Sequence, residues 1–277
     1  MVPGMGRARP VTESPRIMTD RTWEHARYCD AVAAEIDHFA DVVRDADVAA
    51  PIGTCPDWTL ADLLRHVGTV HRWAGAMVRD LAQQRYGRHE LDLDLPERPE
   101  DYPDWLAAGA RQLVPVLRAA DPDAPMWSWG ADRHARFWSR RMLHETTVHR
   151  ADAELTLGRD PEISPDVAAD GIEEFFDNLP GAAASFAPHL QKLRGAGETI
   201  GLAADAGDGE GDAAWLISLD PDGVTLRPGN GTAALVVRGS LADLMLFVWG
   251  RRKPGDAHLE ISGDTVLLAH WVEHSAI

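Results

Sequence analysis

A carboxylate and an imidazole four residues apart on one long helical run, Glu145 and His149, constrain this chain more than any other feature. The run is Arg136-Phe-Trp-Ser-Arg-Arg-Met-Leu-His-Glu-Thr-Thr-Val-His-Arg-Ala-Asp-Ala-Glu154. Residues four apart on a helix sit one above the other on the same face, so the pair can close on one metal ion. A third donor, His66, lies in Asp57-Trp-Thr-Leu-Ala-Asp-Leu-Leu-Arg-His-Val-Gly68, on another predicted helix. Two helices that bring one and two ligands to a shared point describe a metal site in the core of a bundle. Three protein ligands leave one position of a tetrahedral zinc ion open, and chemistry takes place at an open position.

The His144-Glu145 pair invites a metalloprotease reading, which the spacing rejects. That motif needs histidines four apart with the glutamate free as a base. His144 and His149 are five apart, which turns them roughly 140° from each other on a helix. Glu145 therefore reads as a ligand, in a stripe with Trp138, Met142, His149 and Asp152. His144 belongs to the other stripe, with Phe137, Arg141, Val148, Ala151 and Leu155, and points to a packing surface or to solvent. Asp152 is placed either to orient His149 or to meet Arg150 or solvent. His71, about 140° around from His66, reads as core edge or surface. His134 is a weaker spare ligand. Trp127, Trp129 and Trp138 read as core before pocket lining.

The 277 residues suffice for one large or two ordinary domains, and 45% apolar with 26% charged residues is ordinary globular composition. A net charge of −17 argues against nucleic acid or an anionic membrane surface as partner. No apolar run approaches the ~20 residues of a membrane span. Cys29 and Cys55 form neither a disulfide framework nor a zinc knuckle, and read as free thiols of a cytoplasmic protein. Residues 1–20 have no apolar signal segment and read as a disordered extension, with Met18 an alternative start.

Residues 21–158 carry helical periodicity. Helices are expected over 22–44, from Thr59 through Leu81, over 104–119 and over 134–157. A capping-box-like start at Thr59-Leu-Ala-Asp62 opens the second, and a polar linker spans 87–103. Beyond Gly158 the pattern changes. Ser164-Pro165 opens a short helix ending near Leu179. Strand-like runs follow at 199–203, 215–219, 224–226 and 233–237, with turns at 205–212 and at Asp220-Pro-Asp-Gly223. Ser240-Leu-Ala-Asp243 caps a helix through Trp249, residues 258–261 make another strand, and Asp264 starts a last helix. The expected class is α+β with two domains: a four-helix bundle over 21–158 and a small α+β domain over 159–277.

With these residues placed, the chain resembles the mycothiol-dependent maleylpyruvate isomerase family, whose N-terminal part is a DinB/YfiT-type metal-binding bundle. Three stretches carry the resemblance: Thr54-Cys-Pro-Asp-Trp-Thr-Leu-Ala-Asp-Leu-Leu-Arg-His66, His144-Glu-Thr-Thr-Val-His-Arg-Ala-Asp-Ala-Glu154, and Val237 to Arg251 with Ile261-Ser-Gly-Asp264. It implies a zinc site of His66, Glu145 and His149, mycothiol as thiol cosubstrate, and a C-terminal arginine facing the site. Arg251 is the best match for that arginine, with Arg238 and Arg252 as rivals. The implied activity is attack of an activated thiol on a small, acidic electrophile, as in a cis–trans isomerase. A thiol S-transferase, a metal-dependent hydrolase and a non-enzymatic metal-binding regulator remain as alternatives. The expected assembly is a monomer or weak homodimer.

Overall fold

The structure, a computed structural model, describes residues 23–87, 91–205 and 213–276. The expected N-terminal extension and nearly all of the 205–212 turn lie outside the described residues. Four helices come first: α1 (His25–Val43), α2 (Leu60–Arg79), α3 (Tyr102–Ala119) and α4 (Arg136–Thr156). The expected cap of α2 forms as a capping box, with Asp62 N donating to Thr59 Oγ1 and Thr59 N donating to Asp62 Oδ2. This satisfies two backbone donors and fixes where α2 begins. Its apolar stripe of Leu60, Leu63, Leu64, Val67, Val70, Ala74 and Met77 is buried. Leu81, expected to continue that stripe, is 39% exposed, because the helix closes at Asp80 and Leu81 adopts a φ of 42°.

Three starts differ from the sequence reading. α1 begins at His25 rather than at 22. α3 begins at Tyr102 with Pro103 in its first turn, where the missing N–H is harmless. α4 begins after His134, because residues 124–126 and 133–135 pair as extended chain. Met126 N donates to Arg133 O at 2.9 Å, and Ala135 N donates to Ala124 O at 3.0 Å.

The second half opens with α5 (Pro165–Ser185), which passes the expected stop at Leu179 and runs through Pro180. A proline inside a helix removes one hydrogen bond and crowds the preceding turn, yet packing holds the last turn in place. Gly181 lies so close to the 127–130 loop that an added Cβ would stand 2.3 Å from the Trp129 carbonyl oxygen. Then come β1 (Glu198–Ala204), β2 (Ala214–Asp220), β3 (Gly223–Pro228), β4 (Leu235–Gly239), α6 (Leu241–Val248), β5 (Glu260–Gly263) and α7 (Thr265–His274). The sheet order is β3-β2-β1-β4-β5, antiparallel except for the parallel β1–β4 pair. The fold is α+β, a helical N-terminal part followed by a five-stranded sheet with helices. One apolar core runs through both halves, from Tyr28 on α1 to Trp271 on α7.

Buried charge ties α1, α4 and α5 together. His144 is fully buried, the packing alternative of the two expected for it, and its Nε2 lies 2.6 Å from Asp170 Oδ2. Tyr28 OH donates to Asp170 Oδ1 at 2.9 Å, and Arg140 Nε reaches both Asp170 oxygens at 3.1 Å. Burial pushes the Asp170 carboxyl up, but the His144 hydrogen bond and the His144 and Arg140 charges outweigh it and bring it to about 2 from 3.8. A carboxylate depressed by folding stabilises above its unfolded value and loses that contribution as pH falls through the folded value. Denaturant unfolding should therefore lose about 2 kcal/mol as pH falls from above 3.8 through about 2, a loss absent from Asp170→Asn.

Candidate metal centre and cavity

α2 and α4 lie side by side in opposite directions, so that His66 meets Glu145 while Trp73 meets Trp138. His66 Nε2 lies 3.0 Å from Glu145 Oε1, and His149 Nε2 is 3.6 Å from the same oxygen. Donor atoms of His66, Glu145 and His149 all lie within 4.8 Å of one another. The structure thus brings together the three residues read as ligands from spacing. Two imidazole nitrogens and a carboxylate oxygen are a donor set that suits zinc. A second group of close donors, Cys55, His149 and Asp152, is less suited. There both oxygens of Asp152 are already taken.

Two of the three candidate ligands, Glu145 and His149, are held from behind. Glu145 presents Oε1 to the histidines while Arg141 donates to its Oε2 at 2.8 Å. Arg141 also donates to both oxygens of Glu174 on α5 at 2.8 Å, and Asn178 donates to Glu174 Oε1 at 2.9 Å. Glu174 is fully buried, so this chain of charges runs from the second half of the molecule into the ligand cluster. His149 Nδ1 lies 2.9 Å from Asp152 Oδ2, which leaves Nε2 facing Glu145 and His66. An imidazole whose Nδ1–H is held by a carboxylate keeps the tautomer that ligates through Nε2. Asp152 is fully buried, and Arg251 grips it with Nε and one terminal nitrogen, each at 3.0 Å. Thr54 Oγ1 donates to Asp152 Oδ1 at 2.5 Å.

The electrostatics follow from this packing. Burial pushes Glu145 up, but the His66 hydrogen bond and the Arg141, His149 and His66 charges hold it well below the usual carboxylate range. Burial likewise works against ionised Asp152, and Arg251 and His149 overcome it. Cys55, 3.6 Å from Asp152 Oδ2, moves the other way. Burial and the Asp152 charge push its thiol up to about 11, which keeps it neutral.

A cavity of about 590 Å³ opens beside the ligands. His66, Val70 and Trp73 of α2, Glu145 and His149 of α4, and Phe175 of α5 all line it. Trp127, Trp129 and Trp138, read as core first, line it as well, although Trp138 is also fully buried in the core. Arg251 is on the wall, and the carboxylate it engages in this structure is Asp152. Its rivals stand elsewhere. Arg252 pairs with Asp243 and Asp160, and Arg238 lines a separate small pocket at the sheet. His71 is fully buried against Thr146 Oγ1 at 2.9 Å, deeper than the edge position expected, and burial lowers it to about 3. His134 pairs with Asp132, outside the cluster. Spacing gave no sign of Arg141 as a support or of its partner Glu174, because the link joins helices far apart in sequence.

Comparison with known proteins places the chain in a family. The mycothiol maleylpyruvate isomerase N-terminal domain matches residues 29–154, and the MDMPI C-terminal domain matches residues 166–270. A crystal structure of the mycothiol-dependent maleylpyruvate isomerase superposes with a TM-score of 0.54 at 17% identity, over 88% of this chain and 95% of that one. A histidine-to-alanine mutant of that isomerase gives 0.56 at 17% identity, with the same coverage. Comparison with curated protein sequences gives no match. Among the described residues no helix is long and apolar enough to cross a membrane. With both domains matched in tandem over most of its length, the chain belongs to the mycothiol-dependent maleylpyruvate isomerase family.

Proposed function

We propose that this chain is a zinc-dependent enzyme that uses mycothiol as cosubstrate in cis–trans isomerisation of a small acidic electrophile. The observation that carries the reading is the convergence of His66, Glu145 and His149 on the wall of a cavity, in a chain of this isomerase family. A zinc ion held by these three residues would act as a Lewis acid that keeps a thiol ionised at neutral pH, where a free thiol is mostly protonated. Arg141 fixes which oxygen of Glu145 faces the histidines. Asp152 fixes the tautomer of His149, and Arg251 fixes Asp152. The raised Cys55 thiol stays protonated and offers no competing nucleophile. Aromatic side chains, among them Trp58 and Trp249, line the cavity with these residues.

Addition of the cosubstrate sulfur across a cis carbon–carbon double bond leaves a single bond, which rotates. Elimination then restores the trans double bond and releases the thiol unchanged. The Arg251 guanidinium, on the cavity wall beside the ligands, places positive charge where an acidic electrophile gains electron density. Isomerisation of a cis-enedioyl acid should require mycothiol and leave its concentration constant. Arg251→Ala should slow turnover about ten- to a hundredfold by releasing Asp152, the carboxylate behind His149. Consumption of thiol as a stable thioether would instead mark a transferase, and equal turnover without thiol would contradict the proposal.

A further inference from the structure

We infer that the cavity contains a subsite for the apolar body of the electrophile, and that this substrate is an extended, flat aryl or polyene monoacid rather than a compact diacid. The inference rests on the thiol-addition reading above and specifies its substrate.

The cavity extends well past the ligands. From Glu145 to Trp138 on α4, and from His66 to Trp73 on α2, the chain rises about 10 Å at ~1.5 Å per residue. Two antiparallel helices thus agree on the reach of the chamber from the ligand cluster. Its far end is walled by packed rings. Trp73 and Trp138 stand 5.2 Å apart between centroids, Trp127 and Trp138 6.2 Å, and Trp129 and Phe186 5.2 Å. Such walls take the faces and edges of another flat ring or conjugated chain. The hydroxyl-rich body of a polar thiol would lose hydration there without gaining comparable partners.

Charge then limits the number of acidic groups. Three arginines line the cavity: Arg85, Arg141 and Arg251. Arg141 is held between Glu174 and Glu145, and Arg251 grips Asp152. Arg85 is exposed, and among the described residues its guanidinium has neither an ion pair nor a hydrogen-bond partner. It belongs to the aromatic end, because the adjacent Tyr86 carbonyl accepts the indole N–H of Trp73 at 2.9 Å. A substrate with its reactive carbon at the ligands and its body on the tryptophans therefore meets one available cation at its far end. A compact diacid would place its second carboxylate among the rings with no unengaged cation.

Calorimetric titration of the purified protein with 4-vinylbenzoate, 4-vinylbenzyl alcohol and maleate tests this without any turnover. 4-Vinylbenzoate should bind saturably, about tenfold or more tighter than maleate. Arg85→Ala should weaken 4-vinylbenzoate about tenfold, the scale of one charge-assisted contact, and leave 4-vinylbenzyl alcohol within about twofold. Phe186→Ala, at a 55% exposed position that tolerates truncation, should weaken both aryl probes. Maleate binding as tightly as 4-vinylbenzoate, no saturable 4-vinylbenzoate binding, or 4-vinylbenzoate unaffected by Arg85→Ala would overturn the inference. Failure of the thiol reading would show separately, as intact 4-vinylbenzoate binding in a protein with no thiol-dependent turnover.

Discussion

Arg141→Met should destabilise the protein by about 3–5 kcal/mol and loosen the ligand cluster at the same time. Arg141 is 5% exposed and neutralises two carboxylates, Glu174 and Glu145. Removing it strands Glu174, which is fully buried, and among the described residues leaves the Asn178 amide as its hydrogen-bond partner. Breaking one side of a buried pair is far more costly than replacing the pair by neutral groups. Arg141→Met with Glu174→Gln should therefore recover most of the lost stability, because the stranded charge is gone. It should not recover metal affinity, since Glu145 Oε2 remains unheld. Urea unfolding and metal titration of the two variants separate these effects. Equal stability of wild type and Arg141→Met would contradict the assignment of this pair as a buried clamp.

Asp152→Asn should lower metal affinity about ten- to a hundredfold, the usual scale for losing the carboxylate behind a ligating histidine. Asn keeps the size of the side chain but removes the charge that holds the His149 Nδ1–H and neutralises Arg251. The Arg251 guanidinium, 6% exposed, would then be buried against a neutral amide. Stability should fall by several kcal/mol for the same reason as at Arg141. Metal titration of the folded variant at low denaturant isolates the affinity term. An unchanged metal affinity would mean that His149 is oriented by something other than Asp152.

The convergence of His66, Glu145 and His149 was legible because its signal is local. Glu145 and His149 share a helical face by spacing alone, and the Thr59–Asp62 box fixes the phase of the helix that carries His66. Strand and hairpin positions in the second half were legible for the same reason, from alternation and from Asp220-Pro-Asp-Gly223. The supports of the site were hidden because they are made by contacts across the chain. Glu174, Asn178 and Arg251 reach Arg141 and Asp152 only after α5 and the α6 terminus pack beside α4. α5 itself was misjudged at Pro180, where local rules stop a helix and packing of Gly181 on the Trp129 carbonyl continues it. That extra stretch carries Ala182 and Ser185 to the cavity wall. His144 was undecided between packing and solvent, and His71 was placed at the core edge or surface, because periodicity gives a direction and not the partner waiting there. Thr146 and Asp170 settle both as buried.

The central claim is that His66, Glu145 and His149 form one metal site. Elemental analysis of the purified wild type against the His66→Ala, His149→Ala double variant tests it most directly. One zinc per chain in the wild type and none retained by the folded double variant is the predicted result. Stoichiometric zinc in the double variant would place the metal elsewhere and contradict the account.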